Sequence, residues 1–159
     1  MQLLKNRQFV NDDSWNEVSD EQALVAGQTQ IVSLARLEQL ESSVSKAEIG
    51  VVISSEESID TLLAHLDKVT LVVVRFEALR DGRGFSFARL LRRAGFTGEI
   101  RATGEVSRDR LAYLERCGFD SVLLPLSEDV ASLERAYTEI GVRYQASQDI
   151  AEPIYRQGV

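Results

Sequence analysis

From Ile49 onward, short apolar stretches alternate with amphipathic helical patterns, and this alternation limits the folds open to the chain more than any other feature. The strands read as Ile49–Ile53, Val69–Phe76, Glu99–Thr103 and Ser121–Leu124. Between the first two, Ile59, Leu62, Leu63 and Leu66 recur at helical spacing behind a Ser54–Glu57 capping box. Further helices are predicted over Phe85–Ala94, from a Ser107 cap to Cys117, and from a Ser127 cap to about Ile140. Upstream, Gln30-Ile31-Val32 reads as a short strand, and Leu34, Leu37, Leu40 and Val44 place a helix over about Ser33–Ser43. Strands joined through helices pair parallel, with right-handed crossovers. The class is therefore α/β, with alternating strand-helix units forming a parallel sheet.

Leu91-Arg92-Arg93-Ala94-Gly95-Phe96 aligns with Leu114-Glu115-Arg116-Cys117-Gly118-Phe119, and a strand follows each. Glycine stands where a helix C-cap needs positive φ, and phenylalanine packs back on the helix just ended. Thr138-Glu139-Ile140-Gly141-Val142 is a weaker third copy. The sheet is either half of a β/α barrel in sequential strand order or a small open doubly wound sheet. The repeats and the short helix-to-strand turns favour sequential order.

A single domain is expected over residues 1–159, with an N-terminal β/α extension, a core at 30–146 and a tail at 147–159. In the arm, residues 1–27, the pairs Leu3-Leu4 and Phe9-Val10 suit a small hairpin around Lys5-Asn6-Arg7. Trp15, the only tryptophan, follows an Asn11-Asp12-Asp13-Ser14 turn and is expected to pin the arm to the body. The tail has no periodicity and is expected to dock through Ile154 and Tyr155, on its own body or on a partner subunit.

Apolar runs such as Leu71–Val74 stop far short of the roughly 18 residues of a membrane helix, and Met1–Arg7 lacks the pattern of a secretory signal. One cysteine, Cys117, precludes an internal disulfide and fits a reducing cytoplasm. One cysteine and one histidine, His65, leave no protein-built zinc or iron–sulfur site, and no cofactor is expected. His65 lies beside an apolar stripe and reads as a boundary residue; Cys117, at a helix C-terminus, reads as structural.

The net charge of −7 argues against nucleic acid as a partner. Arg75 to Arg116 nevertheless holds ten arginines, no lysine and six acids, a local 10 − 6 = +4. An all-arginine segment in an acidic chain suits either bidentate recognition of an oxyanion or carboxylate, or pairing with the acidic remainder. In parallel α/β sheets ligands collect at the carboxyl ends of strands, where the loop Glu77–Gly84 falls. Gly82 and Gly84 offer amides for close approach, and Arg83, Ser86 and Arg89 offer donors around the start of the next helix. Arg75 and Arg101 are charged residues inside strands, which requires partners, and Arg101 is expected to pair with Glu99 or Asp81. Ligand-binding candidates are thus Arg75, Gly82, Arg83, Gly84, Ser86, Arg89 and Arg101; Asp81 and Glu99 are the acid/base candidates should the chain be an enzyme. No catalytic or redox-cofactor motif stands beside them: this is neither a dinucleotide fingerprint nor a Walker A loop.

The block Asp81-Gly82-Arg83-Gly84-Phe85-Ser86-Phe87-Ala88-Arg89-Leu90-Leu91-Arg92, followed by Gly98-Glu99-Ile100-Arg101-Ala102-Thr103-Gly104, resembles an uncharacterised bacterial family of domains of unknown function. Members of that family lie beside sulfite-reductase and sulfate-assimilation genes and carry the label of oxidoreductases of sulfite reduction. The resemblance implies a pathway, assimilatory sulfur metabolism, and a partner there, sulfite reductase or another assimilation enzyme. It supplies no catalytic residues. Three functions follow as expectations. One is an accessory protein binding an oxyanion or a partner enzyme through the Asp81-Gly82-Arg83-Gly84 loop. Another is a small enzyme acting on a phosphorylated or sulfur-oxyanion substrate. The last is an oligomeric scaffold with structural arginines. An open parallel edge makes a homodimer the expected assembly.

Overall fold

Six of the strands run parallel and lie in the sheet in the order in which they occur in the chain. The structure, a computed structural model, describes residues 1–40, 45, 48–125 and 130–157. Among these residues the strands are β1 (Gln2–Lys5), β2 (Gln8–Val10), β3 (Asn16–Glu17), β4 (Gln30–Ser33), β5 (Ile49–Ser54), β6 (Leu71–Phe76), β7 (Glu99–Gly104) and β8 (Ser121–Leu124). The helices are α1 (Leu34–Gln39), α2 (Ile59–Leu63), α3 (Arg83–Arg93), α4 (Leu111–Cys117) and α5 (Val130–Thr138). The sheet order is β2-β1-β8-β7-β6-β5-β4-β3, a curled half-barrel. Of the two orders open to the sequence, the chain takes the sequential one.

The sheet is not purely parallel, which corrects the sequence reading. Asn6 and Arg7 both take the left-handed conformation, φ 49° and 64°, so β1 and β2 close as a two-residue hairpin. β1 then adds antiparallel to β8, pairing Leu3 with Leu123 and Lys5 with Ser121. The arm therefore extends the barrel wall at one edge. The same arm returns at the opposite edge as β3, parallel to β4.

Alternation along the strands sorts the residues onto two faces. Val32, Val51, Ile53, Val72, Val74, Ile100, Ala102 and Val122 face the helices and form the main core with Leu37, Leu62, Leu91, Leu111, Leu114 and Leu133. The concave face carries Ile31, Leu71 and Val73, with Trp15 and Val52 against them. On β7 and β8 this face turns polar: Glu99 and Arg101 share it with Ser121, by register. The segment 11–15 crosses from one sheet edge to the other over this face. Trp15 is held where Gly50 leaves room, since a Cβ there would come within 3.1 Å of the indole, and the expected pin is present.

The two repeated helix ends are Schellman caps. Phe96 N–H donates to Leu91 O at 3.0 Å and Phe119 N–H to Leu114 O at 3.1 Å, with Gly95 and Gly118 at φ 85° and 107°. Three helix boundaries differ from expectation. α1 ends at Gln39, and positions 41–43 of its predicted span lie outside the described residues. Glu57 accepts from the Ser54 N–H at 2.7 Å, yet the helix starts only at Ile59. Ser107 precedes a 3-10 turn, Arg108–Arg110, that leads into α4. The Ser127 cap lies outside the described residues. The tail docks on its own body, through Arg116 to Asp149 (3.0 Å) and Arg89 to Ser147 (3.0 Å), and Arg116 also donates to the Gln145 carbonyl just before it (2.9 Å). Ile154 and Tyr155, the residues expected to dock the tail, are instead exposed, with the Tyr155 ring tilted against Tyr144, itself exposed.

Candidate functional site

The predicted ligand residues fall into separate places. At the carboxyl ends of β5 and β6, Asp81 folds back over the start of α3 and accepts from the Arg83 N–H at 3.0 Å. The Arg83 side chain grips the same carboxylate, Nε at 3.0 Å and Nη2 at 2.7 Å. Ser55, buried at the end of β5, donates its hydroxyl to Asp81 Oδ2 and accepts from Arg83 Nη2 at 3.2 Å. With Arg83 as the main cause and Ser55 second, the Asp81 carboxyl is held well below the usual carboxylate range. The chain's own carboxylate thus takes the anion position at this helix terminus.

Gly82 is exposed at this turn, whereas Gly84 is buried. A Cβ on Gly84 would lie 2.7 Å from the Phe76 ring and 3.0 Å from Val74, so this glycine lets α3 sit directly on β6. Ser86 is exposed on the first turn of α3. Arg83 and Arg89 diverge: Arg83 reaches Ser55 beside β5, and Arg89 reaches Ser147 in the tail.

Arg75 points along the concave face to the β3 edge, where Glu17 accepts at 2.7 Å. Arg101, 2% exposed, lies deeper on that face. Its Nε and Nη2 donate to Glu99 Oε1 at 3.0 and 2.9 Å, and Nη1 and Nη2 donate to Asp13 at 2.6 and 3.2 Å. Glu99 also accepts from Lys5 Nζ and from the Ser121 hydroxyl, both at 2.6 Å. Burial alone pushes the Glu99 carboxyl up, but Lys5, Ser121 and Arg101 together outweigh it and leave it below its ordinary value.

Several other arginines of the basic segment are engaged by the acidic remainder: Arg92 with Asp120 at 2.5 Å, Arg116 with Asp149, and Arg108 with Glu139. Arg80 differs. It is exposed in the loop beside Leu79, itself 49% exposed, and makes no ion pair among the described residues. Sequence reasoning passed over Arg80 although it lies inside the loop already singled out; its unpaired state depends on where the acids fold, which no local pattern encodes.

A 420 Å³ cavity lies at the other end of the barrel, between the Asn6-Arg7 turn, α4 and the tail, and is lined by Arg7, Arg92, Glu115, Asp120 and Tyr137. Its charges are mutually paired: Arg7 grips Glu115 at 2.7 and 3.0 Å while its guanidinium stacks 4.7 Å over the Tyr137 ring. Burial, with Glu115 adding to it, pushes the Tyr137 hydroxyl up to about 12. Among the described residues, no cluster of three or more His, Cys, Asp or Glu side chains is placed to hold a metal ion, and no helix is long and apolar enough to cross a membrane.

No curated protein matches this chain. A family profile does match, over residues 50–155, which covers β5 through the docked tail and includes the Asp81-Arg83 loop, Glu99 and Arg101. Since that match takes in about two-thirds of the sequence, the chain belongs to DUF934, a family described as bacterial protein of unknown function.

Proposed function

We propose that this chain is a non-catalytic cytoplasmic accessory protein of assimilatory sulfite and sulfate reduction. It docks on an acidic surface of a partner enzyme, sulfite reductase or another enzyme of that pathway, through the loop Glu77–Gly84. The observation that carries this reading is Arg80, exposed in this loop beside exposed Leu79 and without an ion-pair partner among the described residues. Arg83 is 59% exposed over an Asp81 that is only 14% exposed, and Arg80 and Leu79 stand free beside it. Exposed arginine next to exposed leucine is the composition of an interface anchor.

Asp81 already fills the helix terminus, which favours a protein surface over a small oxyanion at this place. An enzyme using Asp81 or Glu99 is disfavoured by their chemistry. A general acid or base works best with a pKa near the operating pH, and both carboxyls are held ionised by fixed cations. The pathway rests on the family resemblance of the Asp81–Arg92 and Gly98–Gly104 blocks.

The test is binding of purified sulfite reductase to the immobilised chain at low and physiological salt. Binding weakens as salt rises, and Arg80→Glu loses tenfold or more, about 1.4 kcal/mol. Equal binding by Arg80→Glu, or no binding at low salt, refutes the proposal.

A further inference from the structure

The concave face of the half-barrel is closed by the chain's own arm, and the manner of closing resembles a receptor holding a tethered ligand. Arg101 is 2% exposed on β7, a strand paired on both sides. Glu99 and Ser121, both on strands, fix one edge of its environment, with Lys5 on β1 beyond them. The other edge of the guanidinium is directed at Asp13, in the two-pronged geometry that matches a carboxylate.

Asp13 is the part of this cluster that belongs to no strand. Its neighbours Asn11, Asp12 and Ser14 are exposed, and its own side chain is 27% exposed against 11% for Glu99 and 3% for Arg101. Lys5 and Arg101 balance Glu99 and Asp13, so lifting Asp13 away leaves a fixed site with one net positive charge. Two residues on, Trp15 fills an apolar seat made by Ile31, Gly50 and Leu71. Leu71 stands opposite Glu99 on the neighbouring strand, so the charged and apolar seats adjoin.

We propose that this face is a binding site for a small organic carboxylate, with the acid on Arg101 and an apolar body on the seat of Trp15. In the state described here Asp13 and Trp15 occupy both. The arm then acts as a competitor in cis: a ligand binds the wild type only in proportion to the fraction of molecules whose arm has lifted. This site is separate from the docking loop and does not depend on it.

The test is thermal melting of the full chain carrying Asp13→Ser, in acetate against acetamide, with sodium chloride holding ionic strength. Acetate raises the melting temperature of Asp13→Ser by several degrees, while acetamide, its neutral isostere, does not. The wild type and Asp13→Asn, whose seats are filled, move by less than about one degree. An equal acetate response in wild type, Asp13→Asn and Asp13→Ser, or none in Asp13→Ser, overturns the proposal. Should Asp13→Ser not fold in chloride, its refolding yield is measured instead: a gain in acetate over acetamide supports the site, and no gain overturns it.

Discussion

Replacing Arg101 by Met removes a cation that is 2% exposed and takes away four N–H···O contacts of 2.6 to 3.2 Å. Breaking a buried ion pair by deleting one partner costs about 3–5 kcal/mol, because the other charge is left stranded. Here the stranded charges have outlets. Glu99 keeps Lys5 and Ser121, each at 2.6 Å, and Asp13, 27% exposed, can turn into water. Methionine also refills most of the volume. The expected loss therefore sits at the lower end, about 3 kcal/mol, which for 159 residues lowers Tm by roughly 6–12 °C. Urea unfolding followed by fluorescence of the single tryptophan measures it, because Trp15 rests on the same face. Glu99→Gln should cost less in the Arg101→Met background than in the wild type, so the double variant is destabilised by less than the two single losses combined. A loss under about 1 kcal/mol for Arg101→Met, or strict additivity within about 0.5 kcal/mol, refutes the reasoning.

Gly84→Ala gains helix propensity of about 1 kcal/mol but drives a methyl into Phe76 at a cost of about 1–3 kcal/mol, so a net loss of up to about 2 kcal/mol is expected on thermal melting; a stabilised variant refutes the packing role. Acid sensitivity follows from the two lowered carboxyls. Asp81 and Glu99 bind protons more weakly folded than unfolded, so their contribution is complete above the unfolded values near pH 4–4.5 and is lost as pH falls through the lower folded ones. Melting between pH 3 and 7 should show stability falling below about pH 4.5, less steeply in Asp81→Asn; identical profiles for wild type and variant contradict the assignment.

Much of the sheet was legible because burial on a parallel sheet writes itself as short apolar runs such as Leu71–Val74, repeated at regular spacing between helices. Ser121–Leu124 matches β8 residue for residue, and β5 and β7 extend one residue beyond Ile49–Ile53 and Glu99–Thr103. The two glycine-phenylalanine helix ends were legible for the same reason: a left-handed cap leaves few choices of residue. β3 was not legible. Asn16 and Glu17 are exposed, and the strand exists through backbone bonds such as Asn16 N–H to Thr29 O, which any side chain allows. Nor could local pattern give the addition of β1 to β8 or the Asp13–Arg101 pair, whose members lie 88 residues apart. The sequence named Glu99 and Asp81 as alternative partners for Arg101. The fold uses Glu99, adds Asp13, and commits Asp81 to Arg83. Gly84 misled in a different way, since a glycine kept for packing and one kept for ligand approach look alike in sequence.

The most direct measurement of the docking account is growth of the source bacterium, lacking this gene, on sulfite or on cysteine as sole sulfur source. The account predicts normal growth on cysteine and a defect on sulfite, repaired by the wild-type chain but not by Arg80→Glu expressed to the same level. Normal growth of the deletion strain on sulfite, or full repair by Arg80→Glu, contradicts it.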